Sequence, residues 1–309
     1  MKALITGGTG FVGSRAREEL ASRGYDVVVL SRRKSEGPTA GRANGRAVSF
    51  ARWVGAGDEI PPEALQGASC IVNLAGEPIG DGRWTRKKKA RIFESRVATT
   101  RALVDAIEKQ AERPKVLISG SAVGYYGPRG DEEITESDRH GGDFLASVCR
   151  AWEAEASRAE DLGVRVVILR IGVVLGRGGA LERMLIPYRL YLGGPLGAGE
   201  QWFSWIHLDD LARLIAFAAE SEYLRGPVNA TSPNPLKMRQ FSKALGKALG
   251  KPSWLPVPGF ALRLAFGEMA EMLLTGQRVL PKKALEAGYE FLYPTIEGAL
   301  GEIFADNAR

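Results

Sequence analysis

Met1-Lys2-Ala3-Leu4-Ile5-Thr6-Gly7-Gly8-Thr9-Gly10-Phe11-Val12-Gly13 opens the chain, and the reading of this stretch decides the fold. Ala3 to Ile5 is a short apolar run of the kind that forms a buried parallel strand. Thr6 and four glycines follow, and a helix-like stretch runs from Ser14 to Ser22. Strand, glycine turn and helix in that order make a dinucleotide-binding arrangement. Gly7 makes the tight turn, Gly10 lets the backbone approach a diphosphate, and Gly13 lets the helix lie close on the sheet. Thr9, Phe11 and Val12 complete the loop and count with the glycines as cofactor contacts. The helix N-terminus adds free N–H groups and a positive dipole end.

Working outward, Asp26 to Leu30 (DVVVL) reads as the second strand. An acidic residue at its end would bond the adenosine ribose hydroxyls and repel a 2′-phosphate. The chain has Ser31-Arg32-Arg33-Lys34 there instead. Guanidinium groups pair with phosphate as a fork, so Ser31, Arg32 and Arg33 predict NADP as the cofactor in preference to NAD.

The 309 residues, 45% of them hydrophobic, suffice for one large α/β domain and a smaller lobe. A net charge of +6 suits anionic small molecules and requires no nucleic acid. Cys70 and Cys149 stand far apart, giving neither a disulfide framework nor a metal motif, so a cytoplasmic location is expected. With only His140 and His207, a histidine-rich metal site is excluded. The N-terminus runs straight into an apolar strand-like stretch, so no signal peptide is expected. Phe260 to Leu274, the longest apolar region, carries Arg263, Glu268 and Glu271 and predicts a packed helix, not a membrane span. The Arg86-Lys87-Lys88-Lys89 run reads as a solvated helix face.

Val48 to Trp53 predicts a third strand and Cys70 to Leu74 a fourth, closed by Asn73-Leu74-Ala75-Gly76. Arg91 to Ile107 carries an apolar stripe at helical spacing. Val116 to Ser121 predicts a fifth strand, Val164 to Gly172 a sixth and Pro227 to Ala230 the last. His207 reads as a residue packed at a strand end and bonded to backbone, with Asp209 capping a helix from Leu211 to Glu220.

The TGGTGFVG opening resembles the extended, epimerase-like branch of the short-chain dehydrogenase/reductase superfamily. The Glu77-Pro-Ile-Gly-x-Gly-Arg-Trp84 approach, Glu94-Ser95-Arg96 with Thr99-Thr100, and the tail from Leu273 to Phe291 resemble its atypical "epimerase family protein" group. The resemblance covers nearly the whole length. It implies a doubly wound parallel sheet, Rossmann-like, with a smaller C-terminal substrate lobe. Residues 1–172 with 205–231 would form the NADP-binding domain, and 173–204 with 232–309 the lobe.

The resemblance also implies roles. Asn73, Leu74, Ala75 and Gly76 would pass the cofactor backbone, with Ser119 and Cys149 nearby. Ser121, the favoured hydroxyl over Ser119, would polarise a substrate oxygen, and Tyr125 or Tyr126 would relay a proton. Glu77, Arg83, Gln201 and Trp202 would line the substrate side. A small-molecule substrate is expected, with a nucleotide sugar implied by resemblance alone. No membrane partner is expected, and a homodimer stays open.

The resemblance breaks at one point. The family's chemistry rests on a Tyr-x-x-x-Lys pair, whose lysine favours the phenolate by its charge. Here the tyrosine position falls on Leu145 and the lysine position on Cys149. No tyrosine lies between Tyr126 and Tyr188, and no lysine between Lys115 and Lys237. Three readings stay open: an enzyme with displaced acid/base groups, an NADP-binding sensor or interaction module, and a bound cofactor assisting a non-redox reaction. Cys149 also reads simply as a buried helix thiol.

Overall fold

Short apolar runs separated by helical segments give parallel strands, because each crossover helix returns the chain to the same end of the sheet. The computed structural model describes residues 1–32, 41–43 and 45–305. Its main sheet contains β1 (Lys2–Thr6), β2 (Asp26–Ser31), β3 (Gly41–Ala43), β4 (Arg46–Arg52), β5 (Ala68–Asn73), β6 (Val116–Ala122), β7 (Arg165–Ile171) and β8 (Gly226–Ala230). The spatial order of these eight strands is β8-β7-β6-β5-β1-β2-β4-β3. Neighbours are parallel except the short edge strand β3, which runs antiparallel to β4. The chain moves outward from β1 through β2 to β4, then returns to β5. The direction of winding therefore reverses beside β1, and ligands of such sheets lie in the crevice outside the carboxyl ends there.

Alternate side chains of each strand point to opposite faces. Ala3 and Ile5 enter one core with Val27, Val29 and Val72, covered by α1 (Phe11–Ser22) and α6 (Leu208–Glu220). Leu4, Ile71 and Leu117 enter the other, covered by Leu103, Val104 and Ile107 of α3 (Arg86–Glu108). The crossover helix α2 (Pro62–Leu65) adds Ala64 and Leu65 to this second core. A third cluster joins Phe203, Trp205, Phe241, Leu245, Leu300 and Ile303 beyond the sheet. It uses α5 (Gly179–Arg189), α7 (Met238–Leu249) and a helix at Ile296–Ile303. Between these clusters, Ala284 and Tyr289 return to pack on the first core. The Tyr289 hydroxyl donates to the Asp210 carbonyl at 2.6 Å.

Several element ends differ from the sequence reading, each for a local reason. The first helix begins at Phe11, three residues early, because Gly10 is already extended at its N-cap. The Thr85 hydroxyl accepts from the Lys88 amide at 3.2 Å, which starts α3 at Arg86 and puts the basic run inside the helix. Helical rotation then turns Lys88 inward, so the run is not wholly a solvated face. His207, not Asp209, caps α6: its Nδ1 accepts from the Asp209 amide at 3.2 Å. The Asp209 carboxylate is instead paired with Arg15 at 2.5 Å. The stretch 260–274 breaks into α8 (Gly259–Phe266), a 3-10 turn at Gly267–Met269 and a short helix at Ala270–Leu274. Gly267, at φ +61°, makes the break. No helix among the described residues is long and apolar enough to cross a membrane.

Candidate functional site

The carboxyl ends of β1, β5 and β6 are tied together by side chains of matched register. Thr6 lies opposite Asn73, and Asn73 opposite Ser119. The Thr6 hydroxyl donates to Asn73 Oδ1 at 2.7 Å and accepts from the Leu74 and Ala75 amides, each at 3.2 Å. Asn73 Nδ2 donates to Thr100 Oγ1 at 2.8 Å and Ser119 Oγ at 3.3 Å. Asn73 and Ser119 are both wholly buried, so their side chains fix the strand ends and the backbone beyond them forms the crevice wall.

Above this seam sits the glycine loop. Gly7 takes φ +70°, and a Cβ there would lie 2.8 Å from the Leu74 carbonyl carbon. The Gly10 amide donates to the Gly7 carbonyl at 2.9 Å and closes the turn. A Cβ on Gly13 would come 2.2 Å from the Gly7 oxygen, so helix and turn meet without a side chain between them. At Gly10 the one near atom is that same oxygen, 3.3 Å away, and the space above is open. Helix α1 has no side-chain cap and no acidic residue in its first turn. An uncapped, acid-free N-terminus facing an open glycine is a fit for a diphosphate. Thr9 is exposed at the loop and Val12 half-buried beside it. The Phe11 ring turns away to pack on a second glycine turn: added Cβ atoms at Gly176 and Gly179 would meet it at 3.0 and 2.7 Å. Ser31 ends β2, and Arg32 is exposed just after it, where a 2′-phosphate would lie. Arg33 lies outside the described residues.

A buried ionic network underlies the other end of the crevice. Ser121 lies opposite Arg170 on β7. The Ser121 hydroxyl donates to Glu153 Oε1 at 2.6 Å, from α4 (Phe144–Ser157). Arg170 forks onto the same carboxylate, Nε to Oε1 at 3.0 Å and a terminal nitrogen to Oε2 at 2.8 Å. Its other terminal nitrogen donates to the Tyr126 hydroxyl at 2.9 Å, which donates onward to Asn229 Oδ1 at 2.7 Å. Burial is the largest single effect on Arg170 and works against its charge, but the hydrogen bonds and charge attraction of Glu153 and Tyr126 together outweigh it and hold its pKa above the usual guanidinium value. Tyr126 has no exposed surface, and burial pushes its phenol up to about 12 despite the cation beside it. Tyr125, half-buried, lays its ring on the Arg170 guanidinium at 3.4 Å from the ring centre. Cys149 is buried and its thiol is pushed up to about 11, chiefly by burial.

Residues 3–229 match the model of the NAD dependent epimerase/dehydratase family. The chain belongs to that family. Residues 257–303 match a domain of unknown function. The Bacillus subtilis epimerase family protein YfhF is 41% identical over 307 residues, covering 99% of each chain. The human epimerase family protein SDR39U1 is 38% identical over 311 residues, covering 99% of this chain and all of that one. A crystal structure of the human protein with NADPH superposes at a TM-score of 0.87 with 35% identity, covering 99% of this chain and 100% of that one. The fold also matches MoeE5 in complex with UDP-glucuronic acid and NAD, at a TM-score of 0.79 and 18% identity, covering 100% of this chain and 99% of that one.

Against that family background, the positions of the missing acid/base pair lie on α4. Leu145 packs against Gly124, where an added Cβ would be 3.3 Å from the Leu145 Cβ. Cys149 directs its sulfur at the Ala122 carbonyl, 3.8 Å away. A neighbouring cation, which the sequence did not single out, comes from α3. Arg96 donates to the Glu77 and Ile92 carbonyls, each at 3.1 Å, and stacks on Trp152 at 5.3 Å. Burial lowers its pKa, and among the described residues no carboxylate forms an ion pair with it. It lies close to Gly76, where an added Cβ would sit 3.0 Å from the Arg96 guanidinium carbon. The signal was present in Glu94-Ser95-Arg96, but helical phase alone does not tell an inward arginine from a surface one.

The four residues expected on the substrate side are placed as follows. Glu77 accepts from buried Lys88 at 2.9 Å, and this bond holds its carboxyl below the usual range. Arg83 donates to the Ala265 carbonyl at 3.1 Å and to that of Leu264. Gln201 spends its amide N–H groups on the Leu196 and Leu273 carbonyls at 3.0 and 2.8 Å. Trp202 donates to Asp131 at 2.7 Å and lies between Lys237 and Arg278. Arg83 and Trp202 thus tie distant segments of the chain together, at Ala265 and Asp131, whereas Gln201 fastens the stretch around Leu196 to Leu273.

Proposed function

We propose that this protein binds NADPH across the carboxyl ends of its strands and exchanges hydride with a small carbonyl- or hydroxyl-bearing substrate. The observation that carries the reading is the uncapped, acid-free N-terminus of α1 behind an open Gly10. Arg32 supports the phosphorylated cofactor, as does the NADPH in the human relative's crystal structure. Bound NADPH supplies the hydride. Gly7, Gly10 and Gly13 would hold its diphosphate, and Arg96 would set a cation near the crevice floor in place of the missing lysine.

Among the candidate proton carriers, Tyr125 serves best. Tyr126 is sealed in and its hydroxyl is engaged by Arg170 and Asn229. The Ser121 proton is held by Glu153. Tyr125 is only half-buried, and its ring is held in place on the Arg170 guanidinium. Ser121 is itself buried and serves to hold the Glu153 carboxylate beneath the site. A sugar nucleotide remains the proposed substrate class from the epimerase fold alone, which is an argument by analogy.

Leu145 and Cys149 favour a second reading, a catalytically weak NADPH-binding module. Mixing the protein and NADPH with a panel of carbonyl compounds separates the two. Loss of the reduced-nicotinamide absorbance, abolished in Tyr125→Phe, supports the enzyme. Tight binding with no turnover supports the module, and no binding of either nicotinamide coenzyme refutes both.

A further inference from the structure

Between the end of β5 and the start of α3, residues 77–85 leave the sheet and cross to the lobe. They enter no regular helix or strand of the fold. Both ends are fixed on the nucleotide-binding half. The Glu77 amide donates to Ser95 Oγ at 2.9 Å, its carboxylate binds Lys88, and Thr85 caps α3. The middle is held by the lobe. Arg183 of α5 pairs with Asp81 and donates to the Gly80 carbonyl. Arg83 caps the last carbonyls of α8. Just beyond, Lys89 pairs with Glu268 in the 3-10 turn after α8. Inside the segment the Trp84 indole donates to the Ile79 carbonyl at 2.9 Å, and its ring meets Phe144 at the start of α4, 5.5 Å away edge-on. The segment thus passes over the carboxyl side of the sheet, between the two bodies that bound the crevice.

We propose that residues 77–85 form a latched strap over the nicotinamide end of this crevice, which must release from the lobe for a ligand to enter or leave. Two observations carry the inference. The Glu77 end is anchored on buried Lys88, while the latches of the middle are exposed: the Arg183 and Asp81 side chains are 61% and 47% accessible. Exposed ion pairs contribute little and are weakened by salt. The backbone is also suited to movement, with Gly82 at φ +73° and nothing within 4 Å of where its Cβ would be. Segments with few buried contacts and exposed hydrogen bonds open at low cost while the domain stays folded. Gating of this kind sets ligand release in many enzymes.

The inference rests on the reading of the crevice as an NADPH site, and the test keeps the two apart. Asp81→Arg and Arg183→Asp are made singly and together. Amide deuterium exchange over residues 78–84 and the NADPH dissociation rate are measured for each at matched salt. Each single reversal is expected to raise both about threefold to tenfold, the range of one exposed pair turned repulsive. The double swap is expected to recover part of the change, because it remakes the ion pair with its ends exchanged but not the Arg183 bond to the Gly80 carbonyl. High salt should narrow the differences. Unchanged exchange in the single variants, or a swap that exchanges no more slowly than the single variants, overturns the latch. Faster exchange with unchanged NADPH release overturns its place over the nicotinamide end. A parent protein that binds no NADPH refutes the reading of the crevice, and the exchange comparison still tests the latch.

Discussion

Replacing Gly10 and Gly13 by alanine, one at a time, separates the binding role of the first loop from its folding role. Gly10 has φ −81° and ψ 175°, a backbone conformation open to any residue. Its added methyl meets one atom, the Gly7 carbonyl oxygen at 3.3 Å, which a shift of a few tenths of an ångström relieves. Alanine also lowers the entropy of the unfolded chain, worth about 0.4–1 kcal/mol in favour of the fold. Gly10→Ala is therefore expected to melt within a few degrees of the parent. The methyl stands where a diphosphate would approach the helix N-terminus. Losing two charge-assisted hydrogen bonds there, at about 1.5–3 kcal/mol each, weakens NADPH by about a hundredfold or more. Gly13→Ala differs, because its methyl would be 2.2 Å from the same oxygen and neither backbone can yield cheaply. Overpacking of this kind costs about 1–3 kcal/mol, so this variant is expected to lose both thermal stability and NADPH. Thermal denaturation and NADPH titration by calorimetry measure both quantities. Parent-like NADPH affinity in Gly10→Ala would refute the assignment of the diphosphate to this loop.

Arg32→Asp should weaken NADPH about tenfold to a hundredfold, the worth of one charge-assisted bond, and leave NADH nearly unchanged; equal losses would remove Arg32 from cofactor choice. Arg170→Met strands the buried Glu153 carboxylate and is expected to cost about 3–5 kcal/mol in chemical denaturation. A loss under 1 kcal/mol would mean that water reaches Glu153. Tyr126 has its phenol raised to about 12 in the fold against about 10 in an unfolded chain. Its contribution is therefore complete below pH 10 and is lost as the pH rises toward 12, a fall of about 2–3 kcal/mol. Tyr126→Phe should flatten that part of the stability profile, and an unaltered slope would assign the fall to other groups.

The sequence by itself determined the fold class of this protein, a doubly wound parallel sheet, but not the order of its strands or the antiparallel edge strand. Apolar runs too short for helices alternate with amphipathic segments, and one glycine pattern demands a strand before it and a helix after it. At Gly13 the requirement is local, since a Cβ there would collide with Gly7 of the same loop, and at Gly7 the left-handed φ of +70° is a local demand to which the fold adds the nearby Leu74 backbone. The missing tyrosine and lysine were equally legible, because an absence along a helix needs no third dimension. The tertiary structure alone decided what the polar residues do. Tyr125 and Tyr126 are neighbours in sequence, yet one lies on a guanidinium at the crevice and the other is sealed beneath it. Arg83, Gln201 and Trp202 look like pocket residues until their polar groups are seen to be spent on Ala265, Leu273 and Asp131, each more than sixty positions away. Arg96 and Lys88 look like surface charge until α3 turns them inward. The physical reason is one of range: backbone sterics and periodicity act within a few residues, whereas burial and charge pairing are settled by whatever the folded chain brings alongside.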